Sequence, residues 1–375
     1  MRVAHISDTH LGYRQYNLDE RENDFYDAFN EAIDKAIEER VDVLIHSGDL
    51  FDSPIPPIKA LYVFKNALNK INGKIKIYTV LGDHDKPKRK GMPPHKLFDI
   101  RVLGVGRLEW EEVDGVLIAG ISNLRGRGVE LLKNELKKFD AIAKKYKKSI
   151  LIAHQAIDRY LPFEGAYELK EDDLPRKATY YAFGHLHSRI LTKFSEGYLA
   201  YAGSIEIIGK NEISLWKEKG KGFYIVDLEG DEIEIHEINL NIRPQVKIEV
   251  DEKKLEDILS YTNYPKLPVL HITIKGENIN RQYVIEKLNK LLQGKVLSFK
   301  PSFKDLSQSQ IEEQIKKAKK DLLDPKSIIR EYLKDEWLAN LAIELYELLS
   351  EDDVSGAIRI AEEFLKGDKY DSKES

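Results

Sequence analysis

Five short polar motifs punctuate the first half of this 375-residue chain, and each directly follows a run that reads as a β-strand. They are Asp8-Thr-His10, Gly48-Asp49, Gly82-Asp-His-Asp85, His154-Gln155 and Gly184-His-Leu-His187. The runs before them, at residues 2–7, 41–47, 74–81, 149–153 and 178–183, are apolar and β-rich. Between them, residues 24–40 set Phe25, Phe29, Ile33, Ala36 and Ile37 on one helical stripe, and residues 57–71 read as a helix opened by Pro57. A further strand at 116–121 and a Lys-rich helix at 129–146 continue the alternation. Strands alternating with helices predict a layered α/β core, and in such a core the carboxyl ends of the strands form the edge that carries sites. Motifs far apart in the chain are therefore predicted to meet on one edge.

After residue 184 the pattern turns β-rich and meandering as far as about residue 236. A second unit begins near Pro244, with strands at 246–250, 269–275 and 295–300 and helices at 253–259 and 281–292. The polar stretch Ser307-Gln-Ser-Gln310 then precedes a tail with only helical periodicity. The expected organisation is residues 1–240, 241–304 and 305–375, in line with two to three domains at about 150 residues each.

Composition narrows the chemistry. There is no cysteine, which excludes disulfide scaffolds, thiolate zinc sites, iron–sulfur clusters and a cysteine nucleophile. The opening MRVAHISDTH has no apolar h-region and no stretch approaches 18 apolar residues, so the expectation is a cytoplasmic protein without membrane contact. High Lys and Glu with only 2 Met leans towards heat adaptation. The net charge of -5 sits in the tail: residues 301–375 hold 12 Lys/Arg against 18 Asp/Glu. The body is close to neutral, which leaves polyanion binding open.

The motifs supply four His and three Asp as ligands, a mixed N/O set too large for one ion and suited to two ions sharing a carboxylate. The absence of Cys and the number of His favour Mn, Fe, Co or Zn over Mg. Such a pair performs in-line displacement at phosphorus. His5 and His46 lie inside strands and read as core or hydrogen-bonded residues.

Motif by motif, the set resembles the calcineurin-like metallophosphoesterase superfamily. Within it the chain is most similar to the SbcD-type meiotic-recombination-eleven nucleases of DNA double-strand-break repair, archaeal type. The resemblance is carried also by His10-Leu-Gly-Tyr13, Gly48-Asp-Leu-Phe51, Ala182-Phe-Gly-His-Leu-His187, Ala202-Gly-Ser204 and Gly222-Phe-Tyr-Ile-Val226. It implies a layered α/β sheet sandwich with flanking helices, a small α/β capping domain that steers DNA, and a helical C-terminal tail. It implies two Mn2+ per subunit: Asp8, His10, Asp49 and His187 would hold one, and Asp49, Asp83, His154 and His185 the other. His84 would face the scissile phosphate as general acid or transition-state stabiliser, with Asp85 orienting it. Two positions depart from the resemblance. Asp83 stands where the family usually has Asn, adding a negative charge, and Asp52 stands where these nucleases commonly have His, setting a carboxylate near the phosphate path.

Candidate DNA contacts are Lys86, Lys88, Arg89 and Lys90 after the third motif, and Arg125 and Arg127 in a glycine-punctuated loop. A homodimer is expected through Leu61 and Leu68 of the 57–71 helix with Leu97 and Phe98, as the resemblance implies a four-helix bundle between subunits. In the tail, Ile328, Ile329, Tyr332 and Leu333 share one helical face, and Leu338, Leu341, Leu345 and Leu348 share another. A helix pair so small buries both stripes poorly against itself, and the resemblance implies an SMC-like ABC ATPase as the covering partner. The expected function is thus a manganese-dependent DNA endo/exonuclease. A phosphatase or cyclic nucleotide phosphodiesterase on the same scaffold, and a DNA-end tether with a weakened site, are the alternatives.

Overall fold

Strand β1 (Arg2–Ile6) shows how the layers form. Ala4 and Ile6 point to one side, into a core shared with helices, and Val3 points to the other, into a core shared with a second sheet. A strand with both faces apolar must be covered on both, and here it is. The computed structural model describes residues 1–71, 73–87, 91–161, 165–305, 325–333, 335–350 and 354–365.

The first sheet runs in the order β12 (Glu234–Asn239), β11 (Gly222–Asp227), β1, β2 (Val43–His46), β3 (Lys76–Thr79) and β4 (Arg101–Val102). β1 to β4 are parallel, and β11 and β12 are antiparallel additions at the other side. The second sheet runs β5 (Glu109–Val113), β6 (Val116–Ile121), β7 (Lys148–His154), β8 (Tyr180–Gly184), β10 (Gly197–Tyr201) and β9 (Ile190–Phe194). Val43, Ile45, Val80, Ile118, Ile150, Ile152 and Ala182 fill the space between the sheets. Helices α1 (Asp19–Glu38) and α2 (Ile58–Ile71) cover the outer face of the first sheet, with Phe29, Ile33 and Phe64 in that core. Helices α3 (Val129–Leu136) and α4 (Phe139–Ala143) cover the second, through Leu132, Leu136 and Phe139. The layered α/β sandwich expected from the alternation is therefore present.

Three local readings change. The Lys-rich helix read at 129–146 is two helices. Breaking at Lys137–Lys138 lets Leu136 and Phe139 both reach the same core. Strand β5 was not legible as a strand because its Glu109, Glu111 and Glu112 are the mark of a charged edge. Beyond the sheets, the tail contains three helices among the described residues rather than a pair. These are α7 (Pro325–Tyr332), α8 (Glu336–Ser350) and α9 (Val354–Leu365), following α5 (Glu212–Lys219) and α6 (Arg281–Leu292) in the chain. α8 packs on both α7 and α9, burying Ala339 and Ile343 and setting Trp337 against Phe364.

A three-stranded sheet has the order β13 (Gln245–Asp251), β14 (Val269–Gly276) and β15 (Ser298–Asp305). The chain divides into two compact units. One comprises Met1–Ile248, Glu256–Ile272 and Lys290–Pro301, and the other the described parts of Glu249–Leu255, Thr273–Asn289 and Ser302–Ser375. Among the described residues, no helix is long and apolar enough to cross a membrane.

His5 ties the two sheets together. It is fully buried, with Nδ1 2.8 Å from the Tyr180 hydroxyl and Nε2 2.8 Å from Ser47 Oγ. Burial holds its pKa down at about 3, so the folded protein keeps the ring neutral while the unfolded chain protonates it near 6.5. Stability from this residue is complete above pH 6.5 and is lost as pH falls towards 3. Between pH 8 and pH 5 the loss is about 2 kcal/mol. In denaturant titrations at the two pH values, His5→Gln is expected to remove about that much of the pH dependence.

Candidate metal centre

The parallel registers bring the strand ends level. Ile6 pairs with His46, His46 with Thr79, and His154 with Gly184. Beyond the strands, the loops stay bonded to one another: Asp8 N–H donates to Gly48 O at 3.1 Å and His10 N–H to Asp49 O at 3.0 Å. All five motifs thus share one edge. Asp8, His10, Asp49 and His185 all take positive φ, between 42° and 93°, a region L-residues rarely occupy. Such strain concentrates at sites whose surroundings over-determine the backbone. Gly82 is needed for a different reason: a Cβ there would fall on the Asp49 carboxylate.

Donor atoms collect in tight groups within 4.8 Å of one another: Asp8 with His10 and His187, Asp83 with His154 and His185, and Asp8 with Asp49 and His154. His84 joins His10 and Asp49 in a fourth such group. Asp49 lies between the first two, its Oδ2 3.7 Å from His10 Nε2 and 3.3 Å from His154 Nε2.

The tautomers show what the arrangement demands. His154 Nδ1–H donates to Ser47 O at 2.8 Å, so Nε2 faces Asp49 Oδ2 and, at 3.2 Å, Asp83 Oδ1. His10 Nδ1–H donates to Asp52 Oδ1 at 3.1 Å, and its buried Nε2 has no hydrogen bond. A neutral ring in either place turns a lone pair onto carboxylate lone pairs. Positive charge must sit between them. Burial opposes charge on His10, yet its bond to Asp52 and the carboxylates of Asp49 and Asp8 raise its pKa to about 9. Burial likewise opposes charge on His154, and Asp49 and Asp83 overcome it, raising the pKa well above normal. Asp49 and Asp83 are held below the usual carboxylate range by these histidines despite burial. A field that draws protons onto buried rings this strongly draws a divalent cation by the same physics. The donor set fits the metal that the motifs imply.

A calcineurin-like phosphoesterase domain matches residues 1–189. Over 98% of this chain and 99% of its own length, a DNA double-strand break repair protein Mre11 of Thermoplasma acidophilum is 37% identical. The chain belongs to the Mre11 family. The Mre11 protein of Methanocaldococcus jannaschii is 43% identical over 68% of this chain and 70% of its own length, and that of Methanococcus maripaludis 34% over 97% and 99%. Membership makes the chain a metal-dependent phosphoesterase that binds divalent cations.

Within this Mre11-family chain, residues outside the expected ligand set sit behind the donor groups. Glu212 of α5 lies 3.4 Å from His187 Nδ1, is pinned by buried Lys221, and so turns His187 Nε2 towards Asp8. Asp52 does not stand free to repel phosphate. Its carboxylate orients His10, and its carbonyl accepts a hydrogen bond from His84 Nδ1 at 2.9 Å. Arg125, a candidate DNA contact, pairs with Asp83 and Glu168 at 3.0 Å each. Arg127 is exposed. Lys86 is half-buried beside the third motif, with burial pushing its pKa down to about 8. Lys88, Arg89 and Lys90 lie outside the described residues.

The candidate dimer residues divide. Leu61, Leu68 and Phe98 pack partly on the chain's own core, whereas Leu97 is 58% exposed, and Ile58 at the start of α2 84%. In the tail, Tyr332, Leu333 and Leu338 are exposed, Ile329, Leu341, Leu345 and Leu348 are half-buried, and the Ile328 side chain lies outside the described residues.

Asp85 corrects an expectation. It does not orient His84. Its carboxylate is fully buried and accepts backbone N–H groups from Gly82 at 2.9 Å, Phe51 at 3.1 Å and Leu50 at 3.3 Å. It clamps the second and third motif loops together beneath the site. Asp85→Asn would set an amide N–H against those donors, and is expected to lower the unfolding free energy by about 1–3 kcal/mol in denaturant titration.

Proposed function

We propose that the chain is a two-metal, manganese-dependent DNA endo/exonuclease that acts in double-strand-break repair as a homodimer with an SMC-like ABC ATPase. The observation that carries this reading is the meeting of Asp8, His10, Asp49, Asp83, His154, His185 and His187 in two donor groups, with Asp49 between them. Family membership supports a phosphodiester as the substrate, and the relatives' role in DNA double-strand break repair supports DNA.

Two divalent cations held there supply a water activated for attack and charge that neutralises the phosphate. The remaining work belongs to side chains. His84 is 45% exposed at the mouth of the groups, its ring 4.8 Å from that of His10. With Nδ1–H given to the Asp52 carbonyl, the imidazolium form of the ring would carry its second proton on Nε2 and could pass it to the departing 3′ or 5′ oxygen, leaving the neutral Nδ1–H tautomer. Asp52 and Glu212 fix the ring planes of His10 and His187, so that little reorganisation accompanies the reaction. Of the cationic side chains proposed to meet the DNA backbone, Lys86 and Arg127 stand nearest the third motif and in the glycine-punctuated loop, respectively.

His84→Ala is expected to lower cleavage of a labelled oligonucleotide with Mn2+ by about 10²–10⁴-fold, while elemental analysis still finds two Mn2+ per chain. Loss of one ion would instead place His84 among the ligands, as its grouping with His10 and Asp49 permits. Faster turnover of p-nitrophenyl phosphate than of oligonucleotide by the unaltered protein would favour a phosphatase.

For the tail, the exposed Leu338 face of α8 is proposed to lie in an apolar groove of the ATPase's coiled-coil base. Leu338→Asp in the full chain is expected to abolish co-purification with that ATPase without changing the melting temperature or Mn2+-dependent cleavage.

A further inference from the structure

Arg125 is half-exposed, yet all three faces of its guanidinium are engaged. Nη1 lies 3.0 Å from Asp83 Oδ2, Nε 3.0 Å from Glu168 Oε1, and Nη2 3.1 Å from His185 Nε2. Glu168 is itself held rigidly. Its Oε2 accepts the Ala156 N–H at 2.8 Å, its own N–H donates to Ala156 O at 3.2 Å, and its side chain is 10% exposed. The guanidinium is therefore anchored to the segment just past His154. A planar fork in that setting is a fixed object, not a loose surface charge.

The consequence falls on Asp83. Its Oδ1 turns inward, 3.2 Å from both His154 Nε2 and His185 Nδ1, while Oδ2 is taken by Arg125. A free carboxylate can grip a cation with both oxygens. This one offers a single oxygen, and a fixed positive charge stands next to the place the cation would occupy. The other donor group differs. Asp8 accepts the Ser7 hydroxyl and the His185 N–H, Asp49 accepts the His84 N–H, and among the described residues no Lys or Arg side chain is ion-paired with either.

We propose that Arg125 is a positioning residue that makes the two cation positions unequal. By holding Asp83 to one-oxygen ligation and adding repulsion, it renders the cation at Asp83, His154 and His185 the weaker and exchangeable one, and leaves the cation at Asp8, His10 and His187 resident. The proposal rests on the two-metal reading above. It also accounts for a chain that carries an acidic residue at position 83: the paired arginine cancels the added charge locally.

The test is calorimetric titration of the full chain with Mn2+, for the unaltered protein, Arg125→Gln, Asp83→Asn and the double variant. Two classes of site are expected in the unaltered protein. Arg125→Gln is expected to tighten the weaker class by about tenfold, the size of effect a charge at this range exerts, and to leave the tighter class unchanged. In the Asp83→Asn background the same change is expected to have a smaller effect, since only the direct repulsion remains once the carboxylate is gone. The proposal is overturned if Arg125→Gln weakens the second class, or if its effect persists undiminished without the carboxylate. It is also overturned if Arg125→Gln leaves Mn2+ binding untouched and only lowers DNA affinity with a smaller salt slope, which would make Arg125 a phosphate contact. Uptake of a single Mn2+ by the unaltered protein would reject the two-metal reading itself.

Discussion

Lone pairs aimed at lone pairs cannot share a buried space unless positive charge lies between them. That constraint governs the edge where five loops meet. Asp49 is almost fully buried, the Nε2 atoms of His10 and His154 point at its carboxylate, and Asp83 closes in from the side. The protein commits Nδ1 of each histidine elsewhere, to Asp52 and to the Ser47 carbonyl, so the rings cannot turn away. The left-handed backbone at Asp8, His10, Asp49 and His185 is the conformational cost of aiming all of them inward. In a nuclease built this way the Nδ1 bonds and the buried backbone hold these side chains in place before substrate arrives.

The layers beneath make that aim possible. Parallel strands β1, β2 and β3 end level with one another, as do β7 and β8, so short loops suffice to project the ligands. Asp85 supports the arrangement from below by taking three backbone N–H groups from two loops. A buried carboxylate with three backbone donors serves as a strut, and its place next to His84 in sequence says nothing about its place in space.

Much of this was legible because strands and their following motifs are local. Residues 2–7 and 41–47 announce themselves by apolar runs, and Asp8, His10 and Asp49 follow at once, so the sheet edge and the grouping of these side chains on it were both readable. What escaped came from residues with no local signature. Glu212 carries no mark in its own segment, while Asp52 and Arg125 stood out for other reasons, and their partners, His187, His10 and Asp83, lie 25, 42 and 42 positions away in the chain. Strand β5 did leave a signal: Asp114-Gly115, both at positive φ, is the tight turn that joins it to β6, and its acidic neighbours obscured it. The third tail helix was missed because its apolar residues follow an acidic stretch. The helix α2 stripe, one pattern in sequence, serves two surfaces in space: Leu61 and Leu68 lean on the core while Ile58 and Tyr62 face outward.

The donors are drawn from both leaves of the sandwich. Asp8, His10, Asp49 and Asp83 follow strands of the first sheet, and His154, His185 and His187 belong to the second. Each donor group thus straddles the seam between the sheets, whose core includes Val43, Ile45, Ile150 and Ile152. Sliding of one leaf over the other, by less than the width of a methyl group, would open or pinch the ligand cage without breaking a strand. The hydrophobic seam works as a vernier for the donor groups: its packing fixes how the donors of the two leaves face one another at the edge, and His5, bridging Tyr180 and Ser47 across it, is the detent that keeps the scale from slipping.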